Sequence, residues 1–499
     1  MRRIELLLAC GPLLAAGPCE SLSSLVLRNG SVSHVETVPA GAFKLPQSAT
    51  TPQLFATLPE FCRVSISLKP SPDSDIRVEV WLPASGWNGK YMGVGNGGWS
   101  GAISYPALAR AIGRGYAAAS TDTGHQGGSA EFALGHPEKL IDFGWRAVHL
   151  MTLSAKAAMA SYYGNAPKYS YWNGCSSGGK QGLMEAQRFP EDYNGIIAGA
   201  PANYWTHLMV SGVWIGQATL KDASSYIPKE KYGILHAAAI EACDSGDGVK
   251  DGVIENPVQC KFDPGVLLCK DPGATAACLT APQVEAARKI YSGPINPRTG
   301  AKIFPGLEPG SELQWGAMAG GPAPFPITAD HFRYVLFKDP RWNFKTLDFD
   351  RDVALAEKAD HGLLTAIDPN LRRFSSRGGK LFLYHGWNDQ LIAPRNAINY
   401  YQSVVKTMGA HVTDSVRLFM VPGMNHCAGG DGPSSFDTVK IIEDWVENGR
   451  APDRMIAAHG PPAAPDRTRP LCPYPQAARY SGSGSTDDAA NFVCAAPVR

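Results

Sequence analysis

No stretch of this sequence holds the ~20 uninterrupted apolar residues that a membrane-crossing helix requires, so the mature chain is expected to be soluble or tethered only by lipid. Neither sign of charge dominates: 46 Lys and Arg face 45 Asp and Glu, a net of +1. That balance leaves no basic footprint for nucleic acid and no acidic tail. No two cysteines form a C-x-x-C pair, which argues against a zinc site or a thioredoxin-like redox centre. No internal repeat is visible. What remains is ordinary globular material, 499 residues with 44% hydrophobic content. It is enough for one large domain with an insertion, or for two or three domains.

The first residues suggest export. Met1-Arg2-Arg3 precedes a modestly apolar run, Ile4 to Ala16, and small residues follow near Ala15 to Gly17. This reads as a signal peptide over residues 1–18. Glu5 weakens the apolar run, and Leu7-Leu8-Ala9-Cys10 alternatively reads as a lipoprotein box that would anchor the chain through Cys10. Setting Cys10 aside leaves an even set of cysteines, which in an exported chain argues for disulfides.

One stretch organises the rest. A short apolar-aromatic run, Tyr169 to Trp172, breaks at Gly174-Cys175-Ser176-Ser177-Gly178-Gly179, and a helix-compatible segment follows through Phe189. This is the strand, sharp turn and helix of a G-x-S-x-G nucleophile elbow with Ser176 at its tip. Ser177 lacks the flanking glycine spacing and is the poorer nucleophile. The alternative is a Gly/Ser-rich surface turn.

Further strands are expected at Val64–Leu68, Ile76–Leu82, Tyr91–Val94, Tyr116–Ser120 and 195–200, with a long helix over about 142–163. Strands alternating with helices predict a mostly parallel sheet covered on both faces, with chemistry in loops at the carboxyl ends of the strands. Ser176, the Gly95–Gly98 loop and the His125 loop fall at such ends. From about 204 to 375 clean strands give way to Pro, Gly and Trp, which reads as an inserted lid. Alternation resumes at Lys380–Gly386 and Val416–Val421, with a helix over 437–448 and a Pro-rich tail after it. The expected organisation is an α/β-hydrolase core over 19–203 and 376–499, interrupted by a lid over 204–375.

An elbow serine needs a base, and the base needs an orienting acid. In this topology the chain order is Ser, then Asp or Glu, then His. Asp389 follows one late strand and His426 the next, 37 residues on. Taken singly, Asp389 could be a helix-capping turn residue and His426 a structural histidine. Together with Ser176, in the right order, they make a candidate triad. The amide of Ser177 and that of Gly98, or its neighbour Gly97, are candidate donors to the oxyanion. Cys175 precedes the serine and Cys427 follows the histidine, so a bond between them would tie nucleophile to base. Cys175 as a free nucleophile is the competing reading, disfavoured by its place in the turn. Within the lid, Asp244, Asp247 and Asp251 occupy a glycine-rich loop that suits a hard cation. The carbonyls of Val249 and Val253 would complete its shell. No glutamate sits at an EF-hand's twelfth position, and a solvated acidic loop is the alternative.

These motifs resemble the tannase and feruloyl esterase family, which includes the mono(2-hydroxyethyl) terephthalate hydrolases. The likeness rests on Gly174–Gly179, Asp389 and His426-Cys427, together with Gly95–Gly98, Asp142–His149 and the Asp244–Val253 loop. It implies Ser176, Asp389 and His426 as triad and a structural calcium ion on Asp244, Asp247, Val249, Asp251 and Val253. It also implies the pairs Cys19–Cys62, Cys175–Cys427, Cys243–Cys260, Cys269–Cys278 and Cys472–Cys494. The implied substrates are small esters of aromatic acids, of plant cell-wall or polyphenol origin. Feruloyl-type esters come first, and galloyl esters or a terephthalate half-ester are the alternatives. The lid aromatics Trp315, Phe332, Tyr334, Trp342 and Phe344 could stack on such an acyl group, although aromatics more often serve packing. A catalytically silent, calcium-stabilised binding protein on the same scaffold is the reading from a different class.

Overall fold

A computed structural model describes residues 17–46, 52–271 and 277–496. The leader reading falls on 1–18, and residues 1–16, Cys10 among them, lie outside the described residues. Nine strands form one sheet: β1 (Gly30–Val38), β2 (Phe61–Leu68), β3 (Ile76–Pro83), β4 (Lys90–Val94), β5 (Ala117–Thr121), β6 (Tyr169–Cys175), β7 (Gly195–Gly199), β8 (Lys380–Gly386) and β9 (Val416–Val421). Their spatial order is β1-β2-β3-β5-β4-β6-β7-β8-β9. From β5 through β9 all neighbours are parallel. At the other edge β1, β2, β3 and β5 pair antiparallel, so the sheet is mostly, not wholly, parallel. The reason is local. β2 and β3 are joined by a short turn, and β1 is a half-exposed edge strand, which needs no apolar face.

Period-two alternation sends side chains to the two faces of the sheet. Val78, Val80, Leu82, Leu381 and Leu383 pack with α2 (Ala147–Tyr163), α3 (Ser177–Arg188) and α7 (Arg395–Met408). Trp81, Phe382 and Tyr384 point the other way, towards α1 (Tyr105–Ile112) and α8 (Thr438–Asn448). Ahead of α2 the chain forms a π-helix over Asp142–Arg146 rather than the continuous α-helix expected from about residue 142.

Between β7 and β8 no strand occurs among the described residues. Helices α4 (Trp205–Leu220), α5 (Tyr232–Cys243) and α6 (Ala281–Ser292) bury Leu208, Val213, Leu235, Val284 and Ile290 in a third core. Trp315, Phe332 and Phe344 belong to that core as packing residues, while Tyr334 and Trp342 lie half-buried against it. The tail after α8 folds into two hairpins, β10 (Met455–His459) with β11 (Arg467–Leu471) and β12 (Ala477–Tyr480) with β13 (Phe492–Ala495). Prolines masked that alternation in the sequence. Among the described residues no helix is long and apolar enough to cross a membrane.

Candidate active site

Ser176 sits between the end of β6 and the start of α3 with φ +63° and ψ −123°, a backbone conformation that side chains rarely adopt. Three backbone hydrogen bonds hold it there. Its N–H donates to Gly199 O at 3.0 Å, and its carbonyl accepts from Ala202 at 3.0 Å and from Lys180 at 3.1 Å. The turn closes only because its flanks are glycine. A Cβ on Gly174 would lie 2.4 Å from Gly178 O, and one on Gly95 would lie 2.6 Å from Gly178 Cα.

The Gly95–Gly98 loop is bolted to α3 by a reciprocal amide pair. Asn96 N–H donates to Gln181 Oε1 at 3.0 Å, and Gln181 Nε2 donates to Asn96 Oδ1 at 3.1 Å. Ser177 Oγ donates to Gly98 O at 2.9 Å. Among the described residues neither the Ser177 amide nor the Gly98 amide donates to a protein acceptor. Gly98 has φ +52°, and a Cβ there would meet Ile327 at 2.7 Å, so the loop fits only with glycine at this point.

On the opposite side, His426 Nδ1 lies 2.8 Å from Asp389 Oδ2. Asp389 is fully buried, and its Oδ1 accepts from Leu391 N–H at 2.8 Å and Ile392 N–H at 2.9 Å. Burial alone would raise its pKa, but the two neighbouring imidazoles outweigh that and hold it well below the usual carboxylate range. For His426, burial opposes the imidazolium, while the charge of Asp389 and its hydrogen bond prevail and raise the pKa. The Cys175–Cys427 bridge places its two Cα atoms 6.0 Å apart. With consecutive Cα atoms 3.8 Å apart, the Cα atoms of Ser176 and His426 are separated by at most about 14 Å. A strained serine and an aspartate-paired histidine are thus tethered across 252 residues of chain.

The family model for tannase and feruloyl esterase matches residues 62–495. The chain belongs to that family. An uncharacterized esterase of Xanthomonas campestris pv. campestris is 40% identical, covering 98% of this chain and 94% of its own. A probable feruloyl esterase B-2 of Aspergillus oryzae is 33% identical, covering 99% of each chain. The crystal structure of feruloyl esterase B from Aspergillus oryzae superposes with a TM-score of 0.90 at 31% identity, covering 96% of this chain and 100% of that one. Tannin acyl hydrolase from Aspergillus niger shares the fold, with a TM-score of 0.78 at 23% identity, 96% of this chain and 93% of that one being covered. As a member of the tannase and feruloyl esterase family, the protein is a carboxylic ester hydrolase with the α/β-hydrolase fold.

In this esterase all ten described cysteines are bonded: Cys19–Cys62, Cys175–Cys427, Cys243–Cys260, Cys269–Cys278 and Cys472–Cys494. Cys175 is therefore not a free thiol. The loop 244–253 follows α5. Asp244 accepts from Asp251 N–H at 3.2 Å and Gly252 N–H at 3.0 Å, Asp247 from Val249 N–H at 2.9 Å, and Asp251 from Val253 N–H at 3.1 Å. Val249 and Val253 are buried. Arg469 pairs with Asp251, and Arg467 lies 3.5 Å from the same carboxylate. Burial pushes Asp247 and Asp251 up, and burial with repulsion from these two drives Glu255 up to about 8. Among the described residues the three aspartates do not bring three oxygens within 4.8 Å of one another. Their charge nonetheless fits a cation, since Asp244, Asp247 and Asp251 face the two guanidiniums of Arg467 and Arg469 and leave one negative charge over.

Sequence reasoning missed His385. It is fully buried, with Nε2 3.0 Å from both Asp389 Oδ2 and Ile392 O. The available signal was its spacing four residues before Asp389. Gln390 was also missed; its Oε1 accepts from His426 N–H at 3.2 Å. His125, noted for its loop, instead packs as a structural residue, stacked on Phe132 and 2.7 Å from Trp99 O through Nε2.

Proposed function

We propose that this esterase hydrolyses esters of hydroxycinnamic acids of the feruloyl type through a Ser176–His426–Asp389 triad. The observation that carries the reading is the 2.8 Å Asp389–His426 pair, bridged by Cys175–Cys427 to a serine in elbow conformation. Ser176 Oγ attacks the ester carbonyl while His426 Nε2 takes its proton. Asp389 holds the other ring nitrogen in its protonated tautomer and stabilises the imidazolium. The amides of Ser177 and Gly98 meet the developing oxyanion. Collapse of the tetrahedral intermediate expels the alcohol, which receives the proton from His426. Water, deprotonated by the same imidazole, then hydrolyses the acyl-enzyme.

The substrate class is supported by relatives named feruloyl esterase B. Five disulfides support export, and the surplus negative charge of the Asp244–Val253 loop supports a structural calcium ion held by Asp244, Asp247 and Asp251 with the carbonyls of Val249 and Val253. A hydrolysis panel of methyl ferulate, methyl gallate and mono(2-hydroxyethyl) terephthalate tests the acyl preference, the first being turned over fastest. A p-nitrophenol burst from a chromogenic ester tests the acyl-enzyme. Ser176→Ala, with fold retained, should remove about 10⁴-fold or more of kcat. A variant that kept its burst would defeat the triad, and a faster gallate or terephthalate reaction would replace the feruloyl reading. Chelation should lower Tm, with recovery on adding calcium.

A further inference from the structure

A second cluster of ligating side chains lies at the far end of α3, about nine residues or ~14 Å along the helix from Ser176. His149 projects from α2, Glu185 from α3, and Asp192 from the turn after α3. One donor atom from each lies within 4.8 Å of both others. His149 Nδ1 is 2.6 Å from Asp192 Oδ2, and the imidazole stacks on Phe189 at 3.8 Å.

The decisive group is Glu185. It is 1% exposed, and among the described residues neither carboxylate oxygen has a hydrogen-bond partner. Lys156, the nearby cation, donates instead to the backbone carbonyl of Asp192 at 2.5 Å. Two carboxylates buried side by side with one of them unpartnered are costly without a counter-charge. Glu185 therefore keeps its carboxylate lone pairs free for a cation held beside His149 and Asp192.

We propose that His149, Glu185 and Asp192 bind a divalent cation of the zinc type, which fastens the far end of the helix carrying Ser176. One imidazole nitrogen and two carboxylate oxygens, with a water as fourth ligand, suit zinc, whereas calcium takes six to eight oxygen ligands. In a tetrahedral site ligand atoms about 2.0–2.1 Å from the ion lie ~3.3 Å apart, so the His149–Asp192 contact opens slightly. His149 would bind through Nδ1 with its proton on Nε2, and any proton on Glu185 would be released. The site is remote from the proposed triad and its role is structural.

The test uses the full chain, stripped with chelator and then saturated with calcium so that the lid loop is occupied. Zinc sulfate is titrated by calorimetry, and cobalt is substituted for its visible absorption. Wild type should bind one zinc and gain several degrees in Tm. His149→Gln and Glu185→Gln should each weaken binding about tenfold or more, and the cobalt band should lose intensity in both. His149 is half-exposed, so its variant keeps the test valid if the buried Glu185→Gln chain fails to fold. Absence of binding at about 100 μM zinc, or unchanged affinity in both variants, overturns the proposal. The first result would leave Glu185 and Asp192 sharing a proton; the second would place the zinc elsewhere.

Discussion

Two histidine–aspartate contacts flank the same helix and behave as different devices. Near the N-terminus of α3, His426 Nδ1 meets Asp389 at 2.8 Å; near its C-terminus, His149 Nδ1 meets Asp192 at 2.6 Å. The pairs look alike, but their third neighbours do not. Asp389 is surrounded by donors, with two amides on Oδ1 and two imidazoles on Oδ2, and no second carboxylate approaches among those contacts. It stays ionised and directed at His426. Asp192 shares its space with Glu185, whose oxygens have no donor among the described residues. In the proposed triad the first arrangement orients an imidazole for proton transfer; in the second, Lys156 donates to a backbone carbonyl and no cation bonds Glu185 among the described residues. An Asp–His contact therefore carries no function until the remaining lone pairs are accounted for.

Of the changes that bear on the two pairs, the largest effect should come from Asp389→Asn. An amide can present NH₂ to His426 and select the wrong tautomer, which costs about 10⁴-fold in kcat where such a triad operates. Circular dichroism should show the fold intact, and near-normal turnover would remove the difference between the two pairs. The pH profile sharpens this. His426 acts as base only when neutral, and Asp389 raises its pKa, so kcat/KM falls as pH drops through that raised value. In Asp389→Ala the acid limb should move to lower pH. Removing the bridge as Cys175→Ser with Cys427→Ser comes next. Opening a 252-residue loop should cost up to about 5 kcal/mol in the chain-entropy picture, read as a lower denaturant midpoint. Activity should fall too, since the tether also positions His426. His385→Phe should be milder, about 10-fold to 100-fold in kcat. It deletes one of the two imidazoles on Oδ2 but leaves both amides.

Legibility in the sequence followed the kind of pattern each element carries. Lys380–Gly386 and Val416–Val421 were readable to the residue because both strands are buried along nearly their whole length and read as continuous apolar runs, although Val416–Val421 ends the sheet. The Ser176 turn was readable because steric crowding leaves glycine at fixed offsets. β1 was not, since that strand is largely exposed and shows no apolar face. His385 reads as one more residue of a buried strand, and only its distance to Asp389 gives it a role. The cluster at the other end of α3 was illegible for a related reason. His149 and Asp192 lie 43 residues apart, and a glutamate in an amphipathic helix reads as solvent-facing. Its burial comes with that of the helix itself, which is buried from Ser177 through Ala186. In the lid, helices pack around Trp315 and Phe332 without sustaining a period that identifies them.

The smallest predicted effect is the sharpest test of the contrast between the two pairs. In protein stripped of metal, folded Glu185 holds its proton more tightly than the unfolded chain does, because its folded pKa is raised. Above the ordinary carboxyl range the unfolded state has lost that proton and the folded state has not, so stability declines as pH rises. Glu185→Gln has nothing to titrate there. At neutral pH the variant should be the more stable protein, by about 1 kcal/mol, the usual scale of a single substitution, and its Tm should depend less on pH between 5 and 8. Adding zinc should reverse the order, because wild type gains a ligand and glutamine offers a poorer one. Asp389→Asn should show the opposite pattern in the absence of metal: replacing a carboxylate that already has its donors removes stability at neutral pH. If both substitutions shift Tm in the same direction, the two pairs are electrostatically equivalent and Glu185 is not short of a counter-charge.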